Sequence, residues 1–180
     1  MKLKSLFALL LVLVICTMNS CSADPYETLT KSDASTALEK KAVKENPTTD
    51  LYNYSYTSSE IQLMDLVNAY RVSIGLSSLT KSNYVSLKAE EHNNYMISTN
   101  TLSHDNFNAR FDDIMKTVGA IAVGENVADV YSTPQAALNA WLNSPAHKKN
   151  IIGSFTHFGI SIRENSVTGK KYYTNIFAKI

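Results

Sequence analysis

A chain of 180 residues with 17 Lys and Arg against 16 Asp and Glu is close to neutral. It therefore lacks the basic footprint that a nucleic-acid partner requires. Its two cysteines, Cys16 and Cys21, fall in or beside an N-terminal leader, so the exported part has no disulfide framework and must hold together through its core.

The leader "MKLKSLFALLLVLVICTMNSC" places Lys2 and Lys4 ahead of an apolar run from Leu6 to Cys16, followed by small and polar residues. That run is too short to span a bilayer comfortably and has the layout of a secretory signal over residues 1–20. Two processing routes stay open. Either Cys21, preceded by Ser20, is the lipid-modified first residue of a lipoprotein, or cleavage follows Ala23, with Cys21 and Ala23 as the small residues before the cut. Removal of residues 1–20 takes away Lys2, Lys4 and no acid, leaving 15 basic residues against 16 acidic ones.

Residues 21–57 are rich in Ser, Thr, Lys, Asp and Glu and poor in large aliphatics. Such a segment cannot offset its ordering entropy by burial and reads as a flexible tether. As a coil of about 36 residues it reaches on the order of 30 Å. Its aromatic end, "LYNYSY" (Leu51 to Tyr56), is suited to packing on the domain edge. Residues 58–180 suit a single domain.

Within that domain Thr57 and Glu60 form a capping box, and Ile61, Met64, Leu66, Val67 and Tyr70 recur at helical spacing, predicting a helix over 59–74. Ser82 opens a second helix that ends near Ser98. A polar loop, "NTLSHDNFNAR", leads to a short helical piece from Arg110 to Lys116 that stops at Gly119. The stretch "AIAVGENVADV" reads as a short strand entering a bend at Gly124. Thr133 with Pro134 starts a helix through Leu142, and Ser144 with Pro145 starts another, "PAHKKNII", that ends at Gly153. "THFGISIRE" and "KKYYTNIFAKI" alternate around the turn "NSVTGK" and predict an antiparallel hairpin. Helices first and strands last point to an α+β layered domain.

No HExxH, CxxC, P-loop or GxGxxG is present, which leaves a dispersed set of polar residues. His104 lies in the loop after the second helix. His147 lies in the first turn of the last helix, where the dipole favours neutral imidazole. With Glu125 these two would fill three positions of a zinc site and leave the fourth open. Arg110 offers Glu125 a purely structural fate through a salt bridge. Asn126 reads as a structural amide at the bend, His92 as a core histidine, and His157 has no assigned role. Ser103 or Ser144 could serve as a nucleophile, with His104 or His147 as base and Glu125 as orienter.

"GEN" (Gly124 to Asn126), "SH" (Ser103, His104), "WLNSPAHKKNI" (Trp141 to Ile151), "LVNAYRVSIGLSSL" (Leu66 to Leu79), "AEEHNNYM" (Ala89 to Met96), "HFGISI" and "YYTNIFAKI" occur in an order that resembles the CAP superfamily. This is the cysteine-rich secretory protein, antigen 5 and pathogenesis-related 1 group, here in its bacterial branch. The resemblance implies a three-layer α-β-α sandwich with a central cleft, which in animal members holds two His and two Glu able to bind a divalent ion. Carried over by motif, His104, Glu125 and His147 correspond to cleft residues, while the second Glu would fall near Ser144, where no acid stands; Asp105 or water is then the nearest substitute. The family acts mostly by binding, including sterols and other lipids. The resemblance thus implies an exported binding module with a cleft lined by His104, Glu125, His147, Ser144 and Asn126. Its ligand would be a small apolar molecule or an envelope macromolecule, with a zinc-type metal as cofactor and membrane attachment through acylated Cys21. The competing reading is a hydrolase of envelope or extracellular polymers, metal-dependent or built on Ser, His and Glu.

Overall fold

The computed structural model describes residues 52–180. The leader, Cys21 and the tether up to residue 51 lie outside the described residues. Helix α1 (Ser58–Ser73) starts from the expected capping box: Thr57 accepts from the amide of Glu60, and the Glu60 side chain accepts from the amide of Thr57. Its buried face carries Leu63, Met64 and Val67, whereas Ile61 is exposed rather than part of the apolar stripe. A short strand β1 (Thr80–Lys81) precedes α2 (Asn83–Thr99). Sequence periodicity does not find β1, because two residues carry no period.

Ser82 caps α2 by accepting from the amide of Val85. The third helical piece is longer at both ends than the sequence suggests: α3 spans Phe107–Val118 and stops at Gly119, whose φ of 71° is the left-handed cap that glycine adopts without strain. Strand β2 (Ala122–Asp129) follows, then α4 (Pro134–Asn143) and α5 (Pro145–Ile151), each with proline in its first turn. The predicted hairpin is β3 (His157–Glu164) and β4 (Lys171–Lys179).

The sheet order is β1-β3-β4-β2, with β1 parallel to β3 and the other pairs antiparallel. Side chains alternate across β4. Ile176 and Ala178 pack with Tyr84, Val85 and Ile114 of α2 and α3, while Tyr173 and Phe177 join Leu63, Leu138 and Trp141 of α1 and α4. The α+β three-layer sandwich is therefore present, with α2 and α3 on one face of the sheet and α1, α4 and α5 on the other. Helix α2 crosses β3 so closely at Gly159 that a Cβ there would lie 2.3 Å from the backbone of Ser86.

Residues 52–57, placed in the tether by the sequence, pack on the domain. The Tyr54 hydroxyl donates to Glu60 (2.8 Å), the Tyr56 hydroxyl donates to Asn83 (3.1 Å), and the Tyr52 ring centre lies 4.6 Å from that of Tyr84.

Candidate functional site

The stretch from Ala122 to Asp129 is one continuous strand, not a strand entering a bend. Gly124 pairs with Phe177 within the ladder, and its lack of a side chain serves close approach: a Cβ would lie 2.8 Å from Asn150 Oδ1. Consecutive residues of a strand point to opposite faces. Glu125 and Asn126 therefore serve different layers.

Asn126 is fully buried and faces α5. Its amide nitrogen donates to the carbonyl of His147 (3.0 Å), and its amide oxygen accepts from Asn150 (2.9 Å), which also donates to the carbonyl of Glu125 (3.1 Å). It clamps α5 to β2 and does not line a cleft.

Glu125 faces the α2 and α3 layer, with its side chain 1% exposed. Arg110, brought in by the first turn of α3, donates from Nε to Oε2 (2.9 Å) and from Nη2 to Oε1 (2.8 Å). This is the bidentate fork that suits a carboxylate. Its remaining nitrogen donates to the carbonyl of Asp105 at 2.6 Å. His104 Nδ1 lies 2.8 Å from Oε1 and His92 Nε2 lies 3.7 Å from the same atom.

Burial pushes the Glu125 pKa up, but hydrogen bonds from His104 and Arg110, and the Arg110 charge, outweigh it and hold the carboxyl below its ordinary value. A carboxylate accepts, so His104 presents Nδ1–H to it, and Nε2 has no protein partner among the described residues. The His104 side chain is 49% exposed.

Three consecutive loop residues each tie into the cluster: Ser103 through its carbonyl, His104 through its ring, and Asp105 through its carbonyl. Buried His92 lies 2.8 Å from the carbonyl of Ser103. A carbonyl only accepts, so Nε2 carries the proton, and His92 Nδ1 is buried without a partner among the described residues. Desolvation pushes the His92 pKa down, against the pull of Glu125 and with the help of Arg110. His92 is thus a member of the cluster and not only a core residue; no local spacing signals this, because its partner Ser103 stands eleven residues away.

His147 sits half-buried in the first turn of α5, as the sequence predicts. Desolvation lowers its pKa, and a protonated His104 would lower it further; its backbone carbonyl is tied to Asn126 of β2. Ser144 joins α4 to α5, and its hydroxyl makes no capping bond. The Ser103 hydroxyl accepts from the amide of Asp105 (3.4 Å). Neither hydroxyl is bonded to an imidazole among the described residues.

The structure thus brings His104, His92 and Arg110 onto Glu125, and leaves His147, Ser144 and Asn126 outside those contacts. A cavity of about 420 Å³ between α2 and α3, lined by Lys88, His92, Tyr95, Arg110 and Asp113 among others, reaches the cluster from behind.

The set does not fit a resident metal ion as it stands. Arg110 occupies both oxygens of Glu125, and among the described residues no three His, Cys, Asp or Glu side chains are grouped so as to hold one.

Comparison with known proteins gives this arrangement its setting. Residues 64–177 match the model of the cysteine-rich secretory protein family. Two Bacillus subtilis (strain 168) proteins are similar. The uncharacterized membrane protein YlbC is 31% identical over 159 residues, which cover 86% of this chain and 42% of YlbC. The uncharacterized protein YkwD is 32% identical over 140 residues, covering 74% and 54%. The chain thus spans about half the length of the curated relatives it matches.

Among solved structures, an outer surface protein of Borrelia burgdorferi shares the fold at a TM-score of 0.62 and 21% identity, covering 69% of this chain and 96% of that one. An extracellular SCP-domain protein of Bacillus anthracis gives 0.60 and 28%, covering 71% and 45%. No helix among the described residues is long and apolar enough to cross a membrane. With the family pattern spread over the whole sandwich, from α1 to β4, the chain belongs to the cysteine-rich secretory protein (CAP) family.

Proposed function

We propose that this chain is an exported binding module whose site around His104, Glu125 and His147 takes a small, lipid-like or macromolecular ligand of the cell envelope. The observation that carries the reading is the state of Glu125. Its charge is balanced internally by Arg110, and its remaining contact orients His104, while no serine hydroxyl is bonded to an imidazole among the described residues. Nucleophilic catalysis needs a hydroxyl within hydrogen-bond reach of its base. What this site offers is one imidazole, His104, oriented by a carboxylate at a water-facing edge, which suits recognition. The descriptions of similar structures as extracellular and outer-surface proteins agree with export. On this reading acylated Cys21 holds the domain at a membrane through the tether, and mass spectrometry of the mature N-terminus checks that attachment.

The experiment uses the full chain with isolated envelope fractions and labelled envelope lipids. His104→Ala with His147→Ala weakens capture at least about tenfold, equivalent to about 1.4 kcal/mol. Capture unchanged by the double variant sinks the reading.

One observation favours a hydrolase as the second reading: Glu125 holds His104 by Nδ1 and leaves Nε2 without a protein partner among the described residues, the arrangement of a carboxylate-oriented general base. Turnover of envelope polymers that drops about a hundredfold or more in Glu125→Gln would establish it. Wild-type turnover no higher than a protein-free blank removes it.

A further inference from the structure

We propose that Arg110 is the resident cation of the Glu125 site, and that this one residue closes the site to divalent metals and leaves recognition to the outward side of His104. The inference rests on the functional reading above, because it concerns the same site.

Glu125 lies in the middle of an edge strand, with Oε2 held by Arg110 Nε (2.9 Å), and Oε1 shared by Arg110 Nη2 (2.8 Å) and His104 Nδ1 (2.8 Å). A metal ion approaching either oxygen meets a fixed positive charge already in contact with it. The guanidinium is also held from its far side, where Nη1 donates to the carbonyl of Asp105 at 2.6 Å. Arg110 itself is buried. Swinging it out to make room would leave Glu125 as an uncompensated buried charge.

The identity of the cation matters. A lysine ammonium holds one oxygen as a point charge and loses its proton when its surroundings demand it, whereas a guanidinium covers both oxygens in one plane and stays charged throughout the pH range of a folded protein. The site therefore does not become a metal site on raising the pH.

The consequence for recognition falls on His104. Metal-binding histidines are oriented by a carboxylate behind them, and His104 has that carboxylate. Here its Nε2 meets no ion but an incoming ligand, as an acceptor for a hydroxyl or amide. Occupants with N–H or O–H donors are favoured over anions at neutral pH, because the Arg110 and Glu125 charges cancel.

The probe is zinc alone, added to the full chain and followed by thermal melting and by titration calorimetry at low temperature, where destabilised variants stay folded. Wild type shows no zinc-dependent rise in Tm. Arg110→Gln takes the guanidinium off both oxygens, leaving only His104 on Oε1, and gains a rise of several degrees with zinc in large excess; adding Glu125→Gln abolishes the gain. Arg110→Lys, in which one oxygen is bare, binds zinc more weakly than Arg110→Gln and more tightly than wild type. Zinc binding by wild type that is lost in Glu125→Gln overturns the proposal. So does the absence of binding in both Arg110 variants when circular dichroism shows either one folded. The functional reading fails on a separate result, envelope capture untouched by His104→Ala and His147→Ala, so the two can be told apart.

Discussion

Two glutamates are buried in this domain, and they differ in who holds them. Glu60, at the start of α1, is fully buried and is met by the Tyr54 hydroxyl (2.8 Å), the amides of Thr57 (2.8 Å) and Ile162 (2.9 Å), and Arg163 Nη1 (2.7 Å). Those partners come from residues 52–57 and from β3, so one carboxylate at the head of α1 ties three parts of the chain and covers an edge amide beyond the short β1. Glu125 is buried almost as deeply, and it too has an arginine, but its other direct partner is an imidazole half in water. The comparison teaches that a buried acid with a bidentate or charged partner is not in itself a sign of function. What separates the two is whether the chain of contacts ends in solvent.

If Glu60 is a structural tie, Glu60→Ala removes four hydrogen bonds and leaves Arg163 with Glu90 as its acid partner, and the loss of those buried bonds lowers unfolding stability by about 2–4 kcal/mol. Urea unfolding measures this, and a loss under about 1 kcal/mol breaks the comparison on the structural side. Glu125→Gln leaves Arg110 partly unpaired and costs about 2–4 kcal/mol. Arg110→Met in the same chain recovers part of that loss, because removing both charges of a buried pair is far less harmful than removing one. A double-mutant cycle on Glu125 and Arg110 therefore gives a coupling of at least about 1 kcal/mol, and additive effects would contradict the bidentate geometry.

The two sites are not equally legible in the sequence. The capping role of Glu60 follows from its spacing to Thr57, but its contacts with Ile162 and Arg163 span 102 and 103 residues and leave no local trace. For Glu125, a polar pair inside an apolar run marks a site, and a salt bridge to Arg110 is one of its two readable fates. Placing a bend at Gly124 misreads a strand, because the sequence does not show that α5 lies against Gly124 and that Asn126 faces that helix. His92 shares a helical face with Ala89 and Met96, so its apolar spacing hides a polar role that only the folded loop at Ser103 reveals. The helices and hairpin are readable because their caps and periods are local; the cluster is only partly so, because it is assembled from β2, α2, α3 and the loop between those two helices.

A smaller effect concerns pH. His92 and His147 both have pKa values lowered from 6.5, chiefly by burial. Above pH 6.5 these imidazoles are neutral in both folded and unfolded chains, and the domain has its full stability. Below it the unfolded chain takes up protons that the folded one resists, so stability declines towards the folded pKa values, more for buried His92 than for half-exposed His147. Glu125, with a lowered pKa, adds a further loss as pH falls below 4.5. His92→Gln flattens the first decline in denaturant midpoints measured between about pH 7 and about pH 5. A slope unchanged by that substitution would place the acid sensitivity elsewhere, His147 and His157 being the other lowered histidines.

The smallest stability effect belongs to the residue that the comparison makes most important. His104 is half exposed, and its bond to Glu125 is one of three to that carboxylate. Arg110 remains to balance the charge, so His104→Ala costs less than about 1 kcal/mol by urea unfolding. A structural tie would behave in the opposite way, as Glu60 is expected to. The difference can be read within one pair of variants. Glu60→Ala loses stability and, at a temperature where it remains folded, keeps envelope capture, whereas His104→Ala keeps stability and loses capture. If His104→Ala proves as costly as Glu60→Ala, the imidazole is part of the scaffold, and the contact chain from Glu125 ends inside the domain and not at its surface.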